Sequence, residues 1–441
     1  MAATRSSAAE RHGASRLPTC ALFLSLVLIA AAVSFARHSR TVLRPVLAVE
    51  DGRDVFGYYY NHREPSSVFR KYHGYVSLLP NIAGYTLLAL PTRLVPHALT
   101  LFPLLVSSLA LSWFSLPRFR ELMGRDSSRC AACVALIALP LGNQASIGNT
   151  MYSSWNFLLI MALQTAAPAP EGAFARARRF LGMSLLAWSH PGSALLVPFH
   201  VMRAVRSRSR GAALFWWGLA AVTVLYVAVG ANPPRPGGLA LQTLASTTAS
   251  FVAERILFAI PFGDEAARTL RDSGRADVIL WGAALVFAAV VAGAFLARRR
   301  LSRPGLAFLV LAAYMSLALT AFYVAARRPG DDVFAYHKAY RYFWVQRFLC
   351  VIAIAVVLQA LFRDRVARLR PTGKALLAAA LSAWLVALNV QNIAAYSVDA
   401  AEGERLAEFI DGVARQEALR GGRDGVSARL ERGKWSIVLE R

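Results

Sequence analysis

Glu50 and Asp51 are adjacent carboxylates about fourteen residues beyond the first hydrophobic run, in a stretch crowded with arginine and tyrosine. The chain there reads Glu50-Asp51-Gly52-Arg53-Asp54-Val55-Phe56-Gly57-Tyr58-Tyr59-Tyr60, and further on Phe69-Arg70-Lys71-Tyr72-His73-Gly74-Tyr75. Acids placed so are catalytic candidates, because burial and neighbouring charge can tune a carboxylate as a base. Aromatic faces such as Tyr58 and Tyr75 suit a sugar or an isoprenoid, cations such as Arg53 suit a departing phosphate, and His73 among Arg70, Lys71 and Tyr75 suits an acceptor contact.

A second group lies between Arg327 and Arg347, with Arg328, Asp331, Asp332, His337, Lys338, Arg341 and Tyr342. Arg341 and Arg347 are expected phosphate ligands, since arginine binds phosphate bidentately and stays charged beside lipid. Arg347 falls just inside an apolar run, where an unpaired cation is costly and a role is the default expectation; the competing reading is that these cations snorkel to the interface. His190, in the break Ser189-His190-Pro191-Gly192, is a further contact candidate, against the plainer reading of a satisfied polar residue.

The elements that must position these groups are membrane helices. Hydrophobic residues make up 56% of the 441, charged ones 17%, and the apolar positions form long blocks, so the chain is expected to be an all-α polytopic membrane protein. Spans are expected near 19 to 36, 97 to 116, 130 to 147, 153 to 168, 180 to 202, 212 to 231, 278 to 297, 305 to 326, 343 to 362 and 375 to 396. The first follows Arg5, Arg11 and Arg16 and is expected to be retained, since it is long enough to span and no clean cleavage site follows.

The net charge of +24 comes from 49 basic against 25 acidic side chains, and its arginines cluster between spans, as cytoplasmic orientation determinants do. No zinc-finger, homeodomain or RNA-motif pattern accompanies them, so nucleic acid is not an expected partner. The connectors at 117 to 129, 168 to 179, 203 to 210, 298 to 303 and 363 to 374 all fall inside only if the 180 to 202 run enters and returns. Pro191 and Gly192 supply the break. About eleven membrane helices result, two of them a short hairpin, with the N-terminus cytoplasmic and the C-terminus extracytoplasmic.

The runs Tyr75 to Pro91 and Leu239 to Phe262 are then expected to lie on the membrane surface. The outer face comprises the first loop, 37 to 95, the loops 232 to 277 and 327 to 342, and a soluble segment, 397 to 441, beyond a membrane domain spanning 1 to 396. That segment offers an amphipathic helix with Leu406, Phe409, Ile410 and Val413 on one face, then two alternating runs, and is expected to cap the outer loops. Cys130 and Cys133 form a CxxC, but no second pair or histidine set accompanies it, so no structural zinc is expected.

In the placement of Glu50-Asp51, the juxtamembrane start at Gly74-Tyr75, the Asn149 and Trp155 region and the hairpin at His190-Pro191, the chain resembles the GT-C superfamily of polyprenyl-phosphate-dependent membrane glycosyltransferases. The resemblance covers most of the membrane part. Better-known branches show an Asp-Glu order and an acid in the second outer loop; here the order is Glu-Asp, and Asn149 or Tyr152 stands where that acid is expected. The resemblance implies that an acceptor hydroxyl attacks the anomeric carbon of a polyprenyl-phosphate sugar with inversion. Asp51 would be the base, and Glu50 would tune it or hold the acceptor. Asn149, His190, Tyr342 and the other candidates above would contact substrate. The acceptor class, glycan, lipid or protein, stays open, as does a divalent cation beside the acids.

A lipid or polysaccharide flippase or transporter would instead predict ionisable pairs within the spans and half-sequence symmetry. The span interiors carry only scattered Asn143, Gln144, Gln164, Gln359 and Asn389. A non-enzymatic partner in envelope-polysaccharide assembly is the third class. Alanine- and arginine-rich usage suggests GC-rich bacterial coding, hence a bacterial plasma (inner) membrane.

Overall fold

The computed structural model describes residues 19–43, 50–72, 74–139, 149–230, 241–325, 340–368 and 400–440 other than 421, 424, 425, 433 and 434, with isolated positions at 45, 47 and between 372 and 388. Among the described residues seven helices are long and apolar enough to cross a membrane: Cys20–Ser39, Thr92–Ser115, Arg210–Gly230, Gln242–Phe262, Ala276–Ala297, Arg303–Ala325 and Trp344–Phe362. The protein is thus an all-α integral membrane protein. The expected spans at 130 to 147, 153 to 168 and 180 to 202 are shorter helices, Asp126–Ala138, Ser153–Ala166, Ala173–Ala187 and Val197–Arg206. Most of the expected span at 375 to 396 lies outside the described residues.

The helix Ser153–Ala166 is buried on every side and forms the axis of the bundle. A helix enclosed all round must be apolar or have its polar groups satisfied. Asn156 does both jobs of an amide: its Nδ2 donates to Ser107 Oγ at 2.9 Å and its Oδ1 accepts from Trp344 Nε1 at 2.9 Å. Thr165 meets His200 at 3.0 Å. Three neighbouring helices are thereby tied to the axis by side chains that hydrophobic packing alone would not hold in register.

That axis also separates the two ends of the bundle by about 21 Å at 1.5 Å per residue. At its far end Gln164 Oε1 accepts from Arg118, and Arg203 donates to the Ala166 carbonyl at 2.8 Å. Arg179 also donates to the Gln164 carbonyl. Cations at the last carbonyls of a helix satisfy orphan acceptors and suit the negative end of its dipole. Ser302 Oγ donates to the Glu121 carbonyl at 2.7 Å and Arg300 reaches the Leu361 carbonyl, so the connectors around 118, 179, 203 and 300 share one end.

The hairpin break falls where the sequence puts it. The helix Ala173–Ala187 stops, His190 is extended at φ −157° and ψ 131°, and a 3-10 turn runs Pro191–Leu196 before Val197–Arg206. Proline denies its nitrogen to the preceding turn and drives the residue before it out of the helical region. The arms are longer than expected, because the first begins at Ala173 and takes in Arg176, Arg178 and Arg179.

The opposite end carries the first loop and the C-terminal segment. Here Glu50–Gly57 forms π-type turns, followed by the short helix Tyr58–Asn61, a two-residue hairpin pairing Lys71 with Val76 and Tyr72 with Tyr75, and the helix Leu78–Leu87. Ten residues cannot cross a bilayer, and this helix instead lies against the loop, with its backbone Leu78 N–H donating to the Trp188 carbonyl. Ala400–Leu419 and the antiparallel strands Ser427–Arg432 and Trp435–Glu440 cover the loop. Leu406, Ile410, Val413, Ile437 and Leu439 join Val55, Phe56, Tyr59 and Tyr60 in one apolar cluster. The described residues from Ala400 onward therefore pack as a cap on the first loop.

Candidate functional site

Asp51 is 1% exposed. The Thr150 backbone N–H donates to its carboxylate with the nitrogen 2.9 Å from both oxygens. Thr150 is itself fixed: its hydroxyl donates to the Leu99 carbonyl at 2.9 Å and its carbonyl accepts from Ser153. The Asn149 side chain accepts from the Tyr152 N–H at 3.1 Å. This knot is the turn that leads into the axial helix, so Asp51 places its negative charge beside a helix N-terminus, where the dipole and the Thr150 amide both favour it. The backbone of Glu50 opens the π-type turns beside it.

Asp54, which the sequence reading did not single out, is the electrostatic hub of the loop. It is 7% exposed, pairs with Arg53 at 2.8 Å and with Arg70 at 3.3 Å, and its carbonyl accepts from Arg70 Nη1 at 2.9 Å. Arg70 lies 3.7 Å from the Tyr58 ring centroid, and His62 stacks on the same ring at 4.3 Å. Of the expected contacts, Arg53 is thus paired with Asp54, and the Tyr58 ring is packed against Arg70 and His62. The signal available for Asp54 was its neighbour Arg53, an adjacent opposite charge.

An aromatic wall adjoins the knot. Trp155, one turn beyond it, contacts His190 at 4.0 Å between centroids and Tyr342 edge-on at 5.6 Å. Tyr75 lies 6.2 Å from His190, and Tyr342 packs on Tyr323 at 4.4 Å. Tyr75, His190 and Tyr342 thus come together about Trp155, while Asn149 holds the turn that precedes its helix. His190 is buried and its Nδ1 accepts from the Gly192 N–H at 2.9 Å, which places its proton on Nε2.

Arg347 does not stand ready for a phosphate. It is 1% exposed and grips Asp264 through both Nη atoms, one at 2.6 Å, while its Nε donates to the Arg255 carbonyl at 2.6 Å. A buried guanidinium needs such neutralisation, and Asp264, a residue the sequence reading passed over, supplies it. Beside this pair Glu254, also buried, bonds Arg271 and approaches Arg255 at 3.6 Å. The side chains of Glu50 and Arg341, and the whole of His73 and of 326–339 with Arg327, Arg328, Asp331, Asp332, His337 and Lys338, lie outside the described residues.

In the loop, burial pushes the Tyr59 and Tyr60 hydroxyls above the ordinary tyrosine value; the hydrogen bond to Glu417 adds to the rise at Tyr60. Among the described residues no three His, Cys, Asp or Glu side chains group as a metal ion would need. No family model, curated protein or solved structure matches the chain.

Proposed function

We propose that the chain is a GT-C-type integral-membrane glycosyltransferase that moves a sugar from a polyprenyl-phosphate donor to an acceptor hydroxyl. The observation that carries this reading is the Asp51 carboxylate, buried against the Thr150 N–H in the turn that leads into the axial helix, five residues before Trp155, whose ring meets His190 and Tyr342. Asp51 takes the proton of the acceptor hydroxyl as its oxygen attacks the anomeric carbon, and the carbon–phosphate oxygen bond breaks on the opposite face, inverting the centre. Glu50 assists or holds the acceptor. The aromatic wall provides faces for sugar or prenyl chain, and Arg341 remains the proposed phosphate ligand.

The arginine-bearing end is proposed to face the cytoplasm of a bacterial cell and the capped end the exterior, following the retention of basic connectors inside. The packing of the C-terminal cap on the first loop supports an even number of crossings between them, which eleven helices in all satisfy. Gln242–Phe262 is then a surface helix despite its hydropathy. Phe251 touches Tyr323 and Phe343, Phe258 meets Gly282, and Arg255 and Asp264 bind Arg347. These partners lie within about two turns of the same ends of three helices, whereas a crossing helix would reach levels some 30 Å apart.

The second reading, a transporter or lipid flippase, draws on one observation, the buried pairs Arg347–Asp264 and Glu254–Arg271 within or beside apolar helices. Purified protein supplied with polyprenyl-phosphate sugars and acceptor mixtures should release polyprenyl phosphate and form a glycoside. Movement of fluorescent lipid across liposomes without glycoside formation would favour the second reading. Cysteines placed at 53 and 299 should label from opposite sides of the membrane.

A further inference from the structure

Gln359 is the polar residue of an apolar helix that the proposed reaction leaves unused. At the arginine-bearing end it lines a cavity of about 350 Å³ with Glu121, Gly124, Arg300, Ser302 and Val356. Three elements meet there: the connector around 121 to 124, the turn at 300 to 302, and one face of Trp344–Arg368. Their contact is close, since a Cβ on Gly293 would lie 3.1 Å from Val357 and one on Gly305 would lie 3.8 Å from Val356.

The lining is chemically mixed in a particular way. Arg300 brings a charged donor, Gln359 an amide that makes no side-chain hydrogen bond among the described residues, and Ser302 a hydroxyl already spent on Glu121's carbonyl. Arg120, Arg125, Arg298, Arg299 and Arg303, each within two residues in sequence of a lining residue, are exposed. Phe295, Leu296, Leu358 and Phe362, close in sequence to that lining, are exposed. Arg298 lies 3.8 Å over the Phe295 ring, so cation and apolar surface are continuous. A ligand matching all of this has a phosphate, hydroxyls that Glu121 can accept from, and hydrocarbon attached.

We infer that this cavity is a binding site for the headgroup of an anionic phospholipid of the arginine-side leaflet, a phosphodiester bearing a hydroxylated alcohol, with its acyl chains lying over Phe295, Leu296, Leu358 and Phe362. The volume lies in the range of small-ligand sites, and basic pockets between membrane helices suit such headgroups. The inference is independent of the glycosyltransferase reading, because the site lies at the opposite end of the axial helix from Asp51.

The test is titration of the full chain in neutral detergent with dioctanoyl phosphatidylglycerol, followed by native mass spectrometry. Gln359→Leu and Arg300→Gln should each weaken binding by about five- to tenfold, the scale of one basic contact to an anionic lipid. Arg300→Lys should keep most of it, and Arg208→Gln, the same charge change in another connector, should leave it unaltered. Dioctanoyl phosphatidylcholine should bind more weakly than the glycerol lipid, and glycerol 3-phosphate should not compete. Equal weakening by Arg208→Gln would reduce the effect to bulk charge and overturn the site. Wild-type binding by a folded Gln359→Leu protein would also overturn it, as would competition by glycerol 3-phosphate, which would make the ligand a soluble phosphate. Should Gln359→Leu unfold, Gln359→Glu carries the same expectation of loss and the same power to overturn.

Discussion

Asp51 and Thr150 are ninety-nine residues apart in sequence, yet the Thr150 amide nitrogen sits 2.9 Å from both Asp51 carboxylate oxygens. That contact joins the first loop to the start of the axial helix. It anchors the turn, and under the proposed function the same carboxylate also takes the acceptor's proton; the two roles separate by substitution. Asn keeps an acceptor for the Thr150 N–H, whereas Ala leaves a buried donor unpaired. Asp51→Ala should lower stability by about 1–3 kcal/mol, and Asp51→Asn by less, as read from thermal unfolding in detergent.

Arg347 and Asp264 form the second buried charge relationship. Removing one partner strands the other, so Asp264→Asn should cost about 3–5 kcal/mol, and replacing the pair together by Met and Leu should recover most of that loss. Denaturant unfolding of the two single variants and the double variant measures it. An Asp264→Asn protein as stable as wild type would show that Arg347 is not held by this pair and would restore it as a phosphate ligand.

Tyr60 donates to Glu417 Oε1 at 2.9 Å and links the first loop to the cap. Its hydroxyl titrates above the ordinary tyrosine value, chiefly through burial. A raised acid favours the protonated form in the folded state, so its contribution is complete below about pH 10, the unfolded value, and fades as pH climbs above it. Limited proteolysis should release the cap more readily with rising alkalinity. In Tyr60→Phe that added alkaline sensitivity should shrink, while stability at neutral pH falls by about 1 kcal/mol.

Gly192 sits where the hairpin passes the axial helix. An added Cβ would come within 2.7 Å of Leu158 Cδ2 and 2.9 Å of His190 Nδ1. Gly192→Ala should therefore cost about 1–3 kcal/mol through overpacking and disturb His190 against Trp155. The fluorescence of a variant retaining Trp155 among few other tryptophans should shift to the red.

How much of this was legible in the sequence differs by the kind of signal. Long apolar runs announced the membrane helices, and Pro191-Gly192 announced the hairpin break, because both signals are local. The face Leu406, Phe409, Ile410, Val413 foretold a cap, and Leu406, Ile410 and Val413 are buried against the first loop. Helix length was less legible: Ser153–Ala166 is too short to qualify as a span by itself, and Gln242–Phe262, expected on the membrane surface, is long and apolar enough to cross. Pairings of charge were hidden. Nothing local to Arg347 pointed to Asp264, eighty-three residues earlier, whereas Arg53 pairs with Asp54 next door. The gathering of Tyr75, His190 and Tyr342 about Trp155 likewise depends on helix packing that a linear pattern does not encode.

The account rests on Asp51 as the group that takes the acceptor's proton, and the most direct measurement is glycosyl transfer by purified wild-type and Asp51→Asn protein on one polyprenyl-phosphate sugar. The expected result is a loss of about 100-fold or more in turnover, the scale of a general base, in a variant that elutes and unfolds like wild type. Undiminished transfer by that folded variant would contradict it.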